Sequence, residues 1–431
     1  MKNDINNPRF IILNILKKYY LNNDFFIQDI LEDYFQNNKL NEIDKQFIYN
    51  ITLGVVRNQI LLDEIISDLS EKKKIEKTLM LFLRVSIFQS LFSDTIPQYA
   101  IISEMLKTAD NFHLRKDQKS FLRGVTGGFF RNIDKYKSDN IWINNLPKNV
   151  LYSHPLFIYK KWQDILKEEQ IIECMKAGNT IPSLIIFNIP KKISIPDLAS
   201  YFNEKLIQFN FDETNKAFIL QRTNPFIKDL LSKGQIYIQG MHQHKAIDLC
   251  PAKDGDKVLE IGAAPGGKTI TLSSKVEKEG QVYSVDKSDT RIKMLQQRIK
   301  ISDLTNVLVF NLDILKELPA DFPGKFDHIV LDPPCSNLAE LSRRPEARYR
   351  ATEEDINQLS QLQRNMIDNS IHRLKNGGTF LYITCTLTKN ENQDIRDYIQ
   401  NQYHLKTEKE LQTIPSIAEP AGGFACLFRK H

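Results

Sequence analysis

The 431-residue sequence lacks any stretch approaching the roughly 20 consecutive apolar residues that a membrane-spanning helix needs. Its start, MKNDINNPRF, also lacks the apolar core of a secretion signal. No internal repeat or low-complexity tract is present. These absences predict a soluble, cytoplasmic protein with no membrane partner, and the length predicts two or three domains.

The sequence also lacks paired cysteines. Its cysteines are odd in number and scattered, without a CxxC pair: Cys174, Cys250, Cys335, Cys385 and Cys426. This pattern predicts reduced thiols and argues against both a disulfide framework and a zinc site. His242 and His244 lie near Cys250, but their spacing fits no common metal site, so we expect no metal.

The sequence also has no large excess of positive or negative residues. The chain has 58 Lys and Arg against 53 Asp and Glu, a formal net charge of +5. This balance permits a nucleic-acid partner, but many proteins with a similar one simply have solvated lysine faces. Charge alone therefore does not identify a partner.

The N-terminal part of the chain has the period of amphipathic helices. From residue 8 to about 132, apolar residues recur at i, i+3, i+4 and i+7, as in Ile12, Ile15, Leu16 and Tyr19. Residues 133–150 lose this period and are interpreted as a linker. A helix from Pro155 to Lys176, a strand at 183–189 and a helix at 197–206 follow. We predict an all-α domain over 1–140 and a small α/β domain over 141–238.

From residue 256 short apolar strands alternate with helices. The predicted strands are 257–262, 281–286, 306–313, 326–332 and 379–385. A long helix at 353–375 begins with a Thr352 N-cap and ends at Asn376-Gly377. Alternation of this kind predicts a doubly wound, mostly parallel sheet, whose ligands bind at the carboxyl ends of the strands. This α/β domain is assigned to 239–431.

The first of these strands ends in a glycine-rich turn, EIGAAPGGKT, at 260–269. The next strand ends in Asp286, nineteen residues after Gly267, near the offset at which an acid meets a nucleotide ribose. Asp313 ends a third strand. Each acid alone would be interpreted as a helix cap, but together with the turn they favour a ligand. The turn differs from a dinucleotide fingerprint and suits S-adenosylmethionine.

Two of the thiols fall at strand ends. Cys335 lies three residues past Asp332, and Cys385 is the last residue of the strand that follows in sequence. Consecutive strands joined by a helical crossover usually lie side by side, so we expect both thiols to face one pocket. A thiolate that adds to carbon 6 of a pyrimidine activates carbon 5 for methylation, and a second group then helps to release it. The other cysteines are interpreted as small apolar core residues.

Four motifs resemble those of the RNA 5-methylcytosine methyltransferases of the Sun (RsmB) family. They are AAPGGKT, DPPCS, RRPEARYR (343–350) and TCTLTKNEN (384–392). In the N-terminal part, LGVVRNQILLD (53–63) and IPQYAIISEMLKTA (96–109) are similar to the NusB-like helical domain of that family. The resemblance implies a Rossmann-like methyltransferase domain behind an all-α NusB-like domain and a small intermediate domain. It also implies methylation of bacterial 16S ribosomal RNA, and we expect a monomer.

The resemblance assigns roles to residues at matching positions. Cys385 would be the nucleophile, Cys335 the release residue, Asp332 the group that holds the cytosine edge, and Lys268 part of the catalytic pocket. The expected contacts of S-adenosylmethionine are Gly262, Ala263, Ala264, Pro265, Gly266, Gly267, Lys268, Asp286, Arg291, Asp313 and Asp332. The expected RNA contacts are Arg343, Arg344, Arg348, Tyr349 and Arg350, although solvated arginines would give the same pattern.

The chain departs from the family pattern at four places. Asn337-Leu338-Ala339 replaces the Gly-Thr-Gly of DAPCSGTG, and Glu260 and Gly262 replace the Asp and Cys of DACAAPGGKT. QGMHQH (239–244) stands where QD-x-x-S is usual, and FLRGVTGGFFRN (121–132) where FVNAVLR is usual.

Two other functions stay open at this stage. DPPC resembles the DPP-aromatic motif of amino-group methyltransferases, although that reaction leaves Cys385 without a role. A non-catalytic RNA-binding or ribosome-assembly protein would explain the altered loops, but not the intact thiols and acids.

Overall fold

The computed structural model describes residues 7–21, 26–72, 74–92, 96–319 and 322–431. The chain divides into two compact units, Met1–Gln163 with Arg344–Arg350, and Asp164–Arg343 with Ala351–His431. This division differs from the predicted boundaries at 140 and 238. The first six residues, on which the prediction of no secretion signal partly depends, lie outside the described residues. No helix in the described ranges combines the length and apolarity needed to cross a membrane.

The helices are α1 Pro8–Leu21, α2 Ile27–Asn37, α3 Glu42–Arg57, α4 Gln59–Leu69, α5 Lys77–Phe92, α6 Gln98–Asn111, α7 Lys116–Arg131, α8 Ile141–Asn144, α9 Lys148–Leu151, α10 Leu156–Gln163, α11 Glu168–Gly178, α12 Ile195–Glu204, α13 Pro225–Ser232, α14 Met241–Asp248, α15 Gly267–Val276, α16 Asp289–Ile301, α17 Ala347–Arg350, α18 Glu353–Ile371 and α19 Gln393–Tyr403. The strands are β1 Leu184–Asn188, β2 Asn210–Asp212, β3 Ala217–Leu220, β4 Ile236–Ile238, β5 Lys257–Ile261, β6 Gln281–Asp286, β7 Val307–Asn311, β8 Phe326–Leu331, β9 Leu374–Thr384, β10 Lys406–Thr413 and β11 Gly423–Arg429.

The first unit is helical, as its period predicts. The apolar stripe of α1, including Ile12 and Leu16, is buried in one core with Phe82 of α5. The interpretation of 133–150 as a linker is wrong. A 3-10 turn at Ile133–Tyr136 and the helices α8 and α9 occupy this segment, because Tyr136 and Ile143 anchor it in the same core.

The second unit begins with a four-stranded antiparallel sheet in the order β2-β3-β1-β4. The single helix predicted from Pro155 to Lys176 is two helices, α10 and α11. The second begins afresh at Lys167, whose backbone N–H donates to the Gln170 side chain at 3.0 Å, which defines a new helix N-terminus.

The larger sheet of the second unit has the strand order β10-β11-β9-β8-β5-β6-β7. Its pairs from β9 to β7 are parallel, and β11 is antiparallel to both of its neighbours. Side chains of α18 and α19 bury one face, and those of α14 and α15 bury the other. This confirms the Rossmann-like α/β fold and the direction of its parallel strands.

The long helix α18 begins as predicted but ends earlier. The Thr352 hydroxyl accepts from the backbone N–H of Asp355 at 3.1 Å, which confirms the cap. The helix ends at Ile371 rather than at residue 375. By residue 373 the chain has begun to pair with β8, since the Phe326 N–H donates to the Arg373 carbonyl at 2.9 Å.

Candidate active site

The glycine-rich turn connects β5 to α15. Gly262 has φ +76°, and a Cβ there would overlap the backbone oxygen of Asp332, so glycine is required where the family pattern has cysteine. The backbone N–H of Ala264 donates to Asp286 Oδ2 at 3.3 Å. The Arg291 guanidinium lies 3.4 Å from the same oxygen and also donates to the Ala264 carbonyl. The structure thus brings the turn, Asp286 and Arg291 together.

This arrangement fits a nucleoside that carries an amino-acid tail. Asp286 and Asp313 lie at the carboxyl ends of the neighbouring strands β6 and β7, where acids can accept from ribose hydroxyls or an amino group. Each has an oxygen bound to backbone, since Asp313 Oδ1 accepts from Leu315 N–H at 3.1 Å, but a carboxylate retains further acceptor positions. The N–H groups that begin α15 at Gly267 suit a carboxylate. Among the described residues, no hydrogen bond connects Asp313 to the glycine-rich turn.

Glu260 is buried at the end of β5 beside the turn. Its Oε2 accepts from the hydroxyls of Thr269 at 2.7 Å and Ser284 at 2.8 Å, and its Oε1 has no partner among the described residues. Burial raises the pKa of this carboxyl to about 7, although Lys268 opposes the shift. The family's shorter acid is thus replaced by one that is held by two hydroxyls.

Lys268 and Asp332 form a buried ion pair. Lys268 Nζ lies 2.7 Å from Asp332 Oδ2, and Lys268 is 7% exposed. Burial would lower the pKa of this ammonium, but the carboxylates of Asp332 and Glu260 raise it above its ordinary value. A permanent positive charge therefore lies at the end of the sheet.

The two candidate thiols lie at the ends of adjacent parallel strands. Cys335 follows β8, and Cys385 directly follows β9. These two strands pair in parallel, which confirms the prediction that they lie side by side. The Ala339 N–H donates to the Cys385 carbonyl at 3.1 Å, so the loop that carries Cys335 folds back against Cys385. Both side chains are half-buried, and burial raises both thiol pKa values above their ordinary range. Nearby carboxylates, including Asp332, add to both shifts.

A buried acid that we did not predict fixes the cysteine loop. Glu391 accepts from the Ser336 N–H at 2.9 Å, the Ser336 hydroxyl at 2.5 Å and the Gln363 amide at 3.1 Å. Asn337 has the left-handed φ of +57°, and its amide donates to the Cys335 carbonyl at 2.9 Å. Asparagine is among the few residues that adopt this conformation readily, which explains how it replaces glycine. Glu391 lies within TCTLTKNEN, and that was the available signal.

The helix α14 also contributes groups that sequence reasoning missed. The Gln243 amide nitrogen donates to the Cys385 sulfur at 2.6 Å. His242 is buried, with Nε2 3.1 Å from the Thr384 carbonyl and Nδ1 3.0 Å from the Thr413 hydroxyl. No group of three or more acidic, His or Cys side chains that could bind a metal ion is present among residues 7–21, 26–72, 74–92, 96–319 and 322–431.

The arginine-rich segment requires a correction. Arg348 is fully buried, and its Nη1 donates to the carbonyls of Arg57 at 3.2 Å and Ser153 at 3.1 Å. The Tyr349 hydroxyl donates to the Val56 carbonyl at 2.9 Å. The Arg348 guanidinium satisfies carbonyls at the ends of helices instead of facing solvent, so we withdraw Arg348 as an RNA contact. Tyr349 is half-buried, and its contact with RNA stays a prediction.

The remaining arginines of this segment are partly exposed. Arg343 Nη1 lies 3.8 Å from Glu340 Oε2. The guanidinium groups of Arg344 and Arg350 each lie 4.7 Å from the ring centre of Phe26. Their contact with RNA stays a prediction.

Two family comparisons cover most of the chain. Residues 246–421 match the family described as 16S rRNA methyltransferase RsmB/F, and residues 6–129 match the NusB family. The C-terminal part of the chain is thus similar to the RsmB/F methyltransferases, and its N-terminal part to NusB proteins. Among relatives, the probable ribosomal RNA small subunit methyltransferase B of Bacillus subtilis is 23% identical over 92% of this chain and 92% of its own. Ribosomal RNA small subunit methyltransferase B of Proteus mirabilis is 25% identical over 91% and 92%.

Solved structures share the fold of this chain. The crystal structure of PH0851 superposes with a TM-score of 0.77 and 22% identity, over 98% of this chain and 99% of that chain. NSun6 from Pyrococcus horikoshii, solved with SFG, has a TM-score of 0.58 and 19% identity over 65% and 99%. The NusB-like helical region and the Rossmann-like domain are confirmed. The match over residues 246–421 identifies the protein as a methyltransferase that uses S-adenosylmethionine.

Proposed function

We propose that the protein methylates carbon 5 of a cytosine in RNA, with 16S ribosomal RNA as its substrate. The names of the Bacillus and Proteus relatives and the family description support an RNA substrate in the small ribosomal subunit. The observation that carries the cytosine chemistry is the pair of half-buried thiols at the ends of adjacent strands. A backbone hydrogen bond holds the loop that contains Cys335 against Cys385. An amino-group methyltransferase has no use for two such thiols.

In this mechanism Cys385 supplies the electrons that carbon 5 lacks. Its sulfur gives its proton to solvent and adds to carbon 6, forming the S–C6 bond and moving the electron pair of the C5–C6 double bond onto carbon 5. Burial holds the thiol protonated beforehand, so its deprotonation belongs to the substrate-bound state. Asp332, which Lys268 fixes at 2.7 Å, offers a carboxylate acceptor for the amino edge of the cytosine.

S-adenosylmethionine supplies the electrophilic methyl group that carbon 5 accepts. Carbon 5 then carries both a methyl group and a hydrogen. Loss of this hydrogen as a proton re-forms the C5–C6 double bond, breaks the S–C6 bond and returns the electron pair to the sulfur of Cys385. We assign Cys335 to this release step, in which it relays the proton to solvent.

The test compares the wild type with Cys385→Ala, Cys335→Ala and the matched control Cys174→Ala, whose thiol is buried in α11. Each is incubated with 16S ribosomal RNA and labelled S-adenosylmethionine, followed by a denaturing gel and nucleoside analysis. We expect 5-methylcytidine from the wild type and Cys174→Ala, a trapped protein–RNA adduct from Cys335→Ala, and neither product from Cys385→Ala.

Two results would overturn the proposal. Label on an amino nitrogen would show a different reaction. Full activity of Cys385→Ala would show that the methyl group is transferred without the attacking thiol.

A further inference from the structure

Gln243 lies against the sulfur of the attacking cysteine, although 142 residues separate the two in sequence. Its amide nitrogen donates to Cys385 Sγ at 2.6 Å. The family pattern QD-x-x-S has serine at this position, so this chain places a longer side chain with N–H donors there. The contact thus depends on a residue that departs from the family pattern.

The two neighbours of Gln243 in α14 limit the positions that its amide can adopt. The ring of His242 contacts the carbonyl of Thr384, the residue before Cys385, at 3.1 Å. On the other side, the His244 ring stacks on Phe187 with centroids 4.1 Å apart and an interplanar angle of 22°. Because both flanking side chains are anchored, the backbone of Gln243 is held near Cys385, which keeps its amide within reach of the sulfur.

The charges around Cys385 make a neutral donor useful. Glu340, Asp332 and the Cys335 thiol all oppose ionisation of Cys385, in addition to its burial. Lys268 brings a positive charge to the site, but its ammonium is bonded to Asp332. An N–H that points at the sulfur offsets part of this penalty without adding charge, and hydrogen bonds to an ionised group are the stronger kind.

We propose that Gln243 is a positioning residue for Cys385: its amide N–H stabilises the thiolate and holds the sulfur for addition to carbon 6. The inference rests on the proposed function, in which Cys385 attacks the base. The same amide serves both protonation states, because its oxygen accepts from the S–H of the thiol and its nitrogen donates to the thiolate. Oε1 has no other partner among the described residues, which leaves it available for this exchange.

The test measures Cys385 directly, without RNA. In a Cys335→Ala background, the rate of alkylation of Cys385 by iodoacetamide is followed by peptide mass spectrometry between about pH 6 and pH 9. Gln243→Met keeps the length but removes the donor, and we expect it to react about tenfold more slowly at each pH. Gln243→Glu keeps the shape and adds a negative charge, so its reaction should be slower still. Gln358→Met, at an exposed position of α18, is the matched control and should react at the parental rate.

A second readout uses the trapped adduct. The rate at which the Cys335→Ala protein forms its covalent adduct with RNA should fall by about the same factor in Gln243→Met, because one ionisation precedes both reactions. If Gln243→Met does not fold, as judged by circular dichroism, Gln243→Glu supplies the comparison. A folded variant that alkylates at the parental rate overturns the assignment of Gln243.

Failure of this inference is distinguishable from failure of the proposed function. If Cys385→Ala is inactive but the Gln243 variants alkylate at the parental rate, only the assignment of Gln243 is wrong. If Cys385→Ala retains full methylation, the attack by Cys385 is wrong, and Gln243 has no catalytic step to assist.

Discussion

Two motif segments close together in sequence differ in what they do. DPPCS (332–336) carries a half-buried thiol, and a buried acid, Glu391, fixes its backbone. RRPEARYR (343–350) contains the most concentrated positive charge near this loop, yet Arg348 is fully buried and donates to backbone carbonyls. We propose that the first segment supplies a reactive thiol, whereas Arg348 of the second segment holds the ends of helices.

The difference lies in what fixes each segment. A thiol just beyond a parallel strand is placed at the ligand-binding edge of the sheet by topology alone. An arginine in the single-turn helix α17, outside the sheet, has no such constraint. The acceptors of Arg348 belong to Arg57 and Ser153, which lie 291 and 195 residues away in sequence. Motif membership therefore predicts the position of a side chain well only where the strands of the sheet set the direction of the chain.

Substitution of Arg348 should give the largest effect that separates the two segments. In Arg348→Met the Arg57 carbonyl loses its donor, and the Ser153 carbonyl keeps only the Tyr349 hydroxyl at 3.3 Å. Since an unsatisfied buried carbonyl costs about 1–3 kcal/mol, we expect a loss of about 3 kcal/mol in the free energy of unfolding. Urea titration measures it. The matched control is Arg344→Gln, a partly exposed arginine of the same segment, which should change stability by less than about 0.5 kcal/mol.

Equal and small effects of these two substitutions would contradict the structural assignment of Arg348. A loss of RNA affinity in Arg348→Met without any loss of stability would restore it as an RNA contact.

Much of the fold, and the positions of the proposed reacting residues, could be predicted from the sequence. The strand ends that carry Asp286, Asp332 and Cys385 follow from the alternation of apolar strands and helices, and the structure places them within a residue or two of the prediction. The packed segment at 133–150 was not predictable, because Tyr136 and Ile143 are too few to set a period but are enough to anchor short helices.

The groups that support the site were harder to predict. Glu391, Gln243 and His242 act through contacts across distant parts of the chain, and none of them stands in a spacing that indicates its partner. Glutamine and histidine carry no intrinsic preference for a thiol or a strand end. Only the tertiary arrangement of α14 and β9 shows what they do.

A second comparison is between Arg348 and Glu260. Both are buried ionisable residues, and Glu260 lies in the glycine-rich turn motif. Its folded-state pKa of about 7 lies above the ordinary 4.5, so between these values the folded protein binds more protons than the unfolded chain. The contribution of this group is favourable below about pH 4.5 and is lost as the pH rises to about 7. The loss amounts to roughly 3 kcal/mol.

The check is the pH dependence of unfolding in the wild type and in Glu260→Gln, which keeps an oxygen acceptor for Thr269 and Ser284. The difference between the two free energies of unfolding should change across this pH range in the stated direction. A constant difference would mean that Glu260 ionises as it does in the unfolded chain.

The smallest effect concerns the backbone of the cysteine loop. Asn337→Gly and Asn337→Ala both remove the bond from the Asn337 amide to the Cys335 carbonyl, so comparing them isolates the left-handed φ of +57°. Alanine should be less stable than glycine by about 1 kcal/mol, because its Cβ disfavours this conformation. Urea titration of the two variants measures this difference. Equal stability would mean that the loop changes its backbone conformation, and then slower release of the RNA adduct should accompany the alanine variant, because the placement of Cys335 depends on this turn.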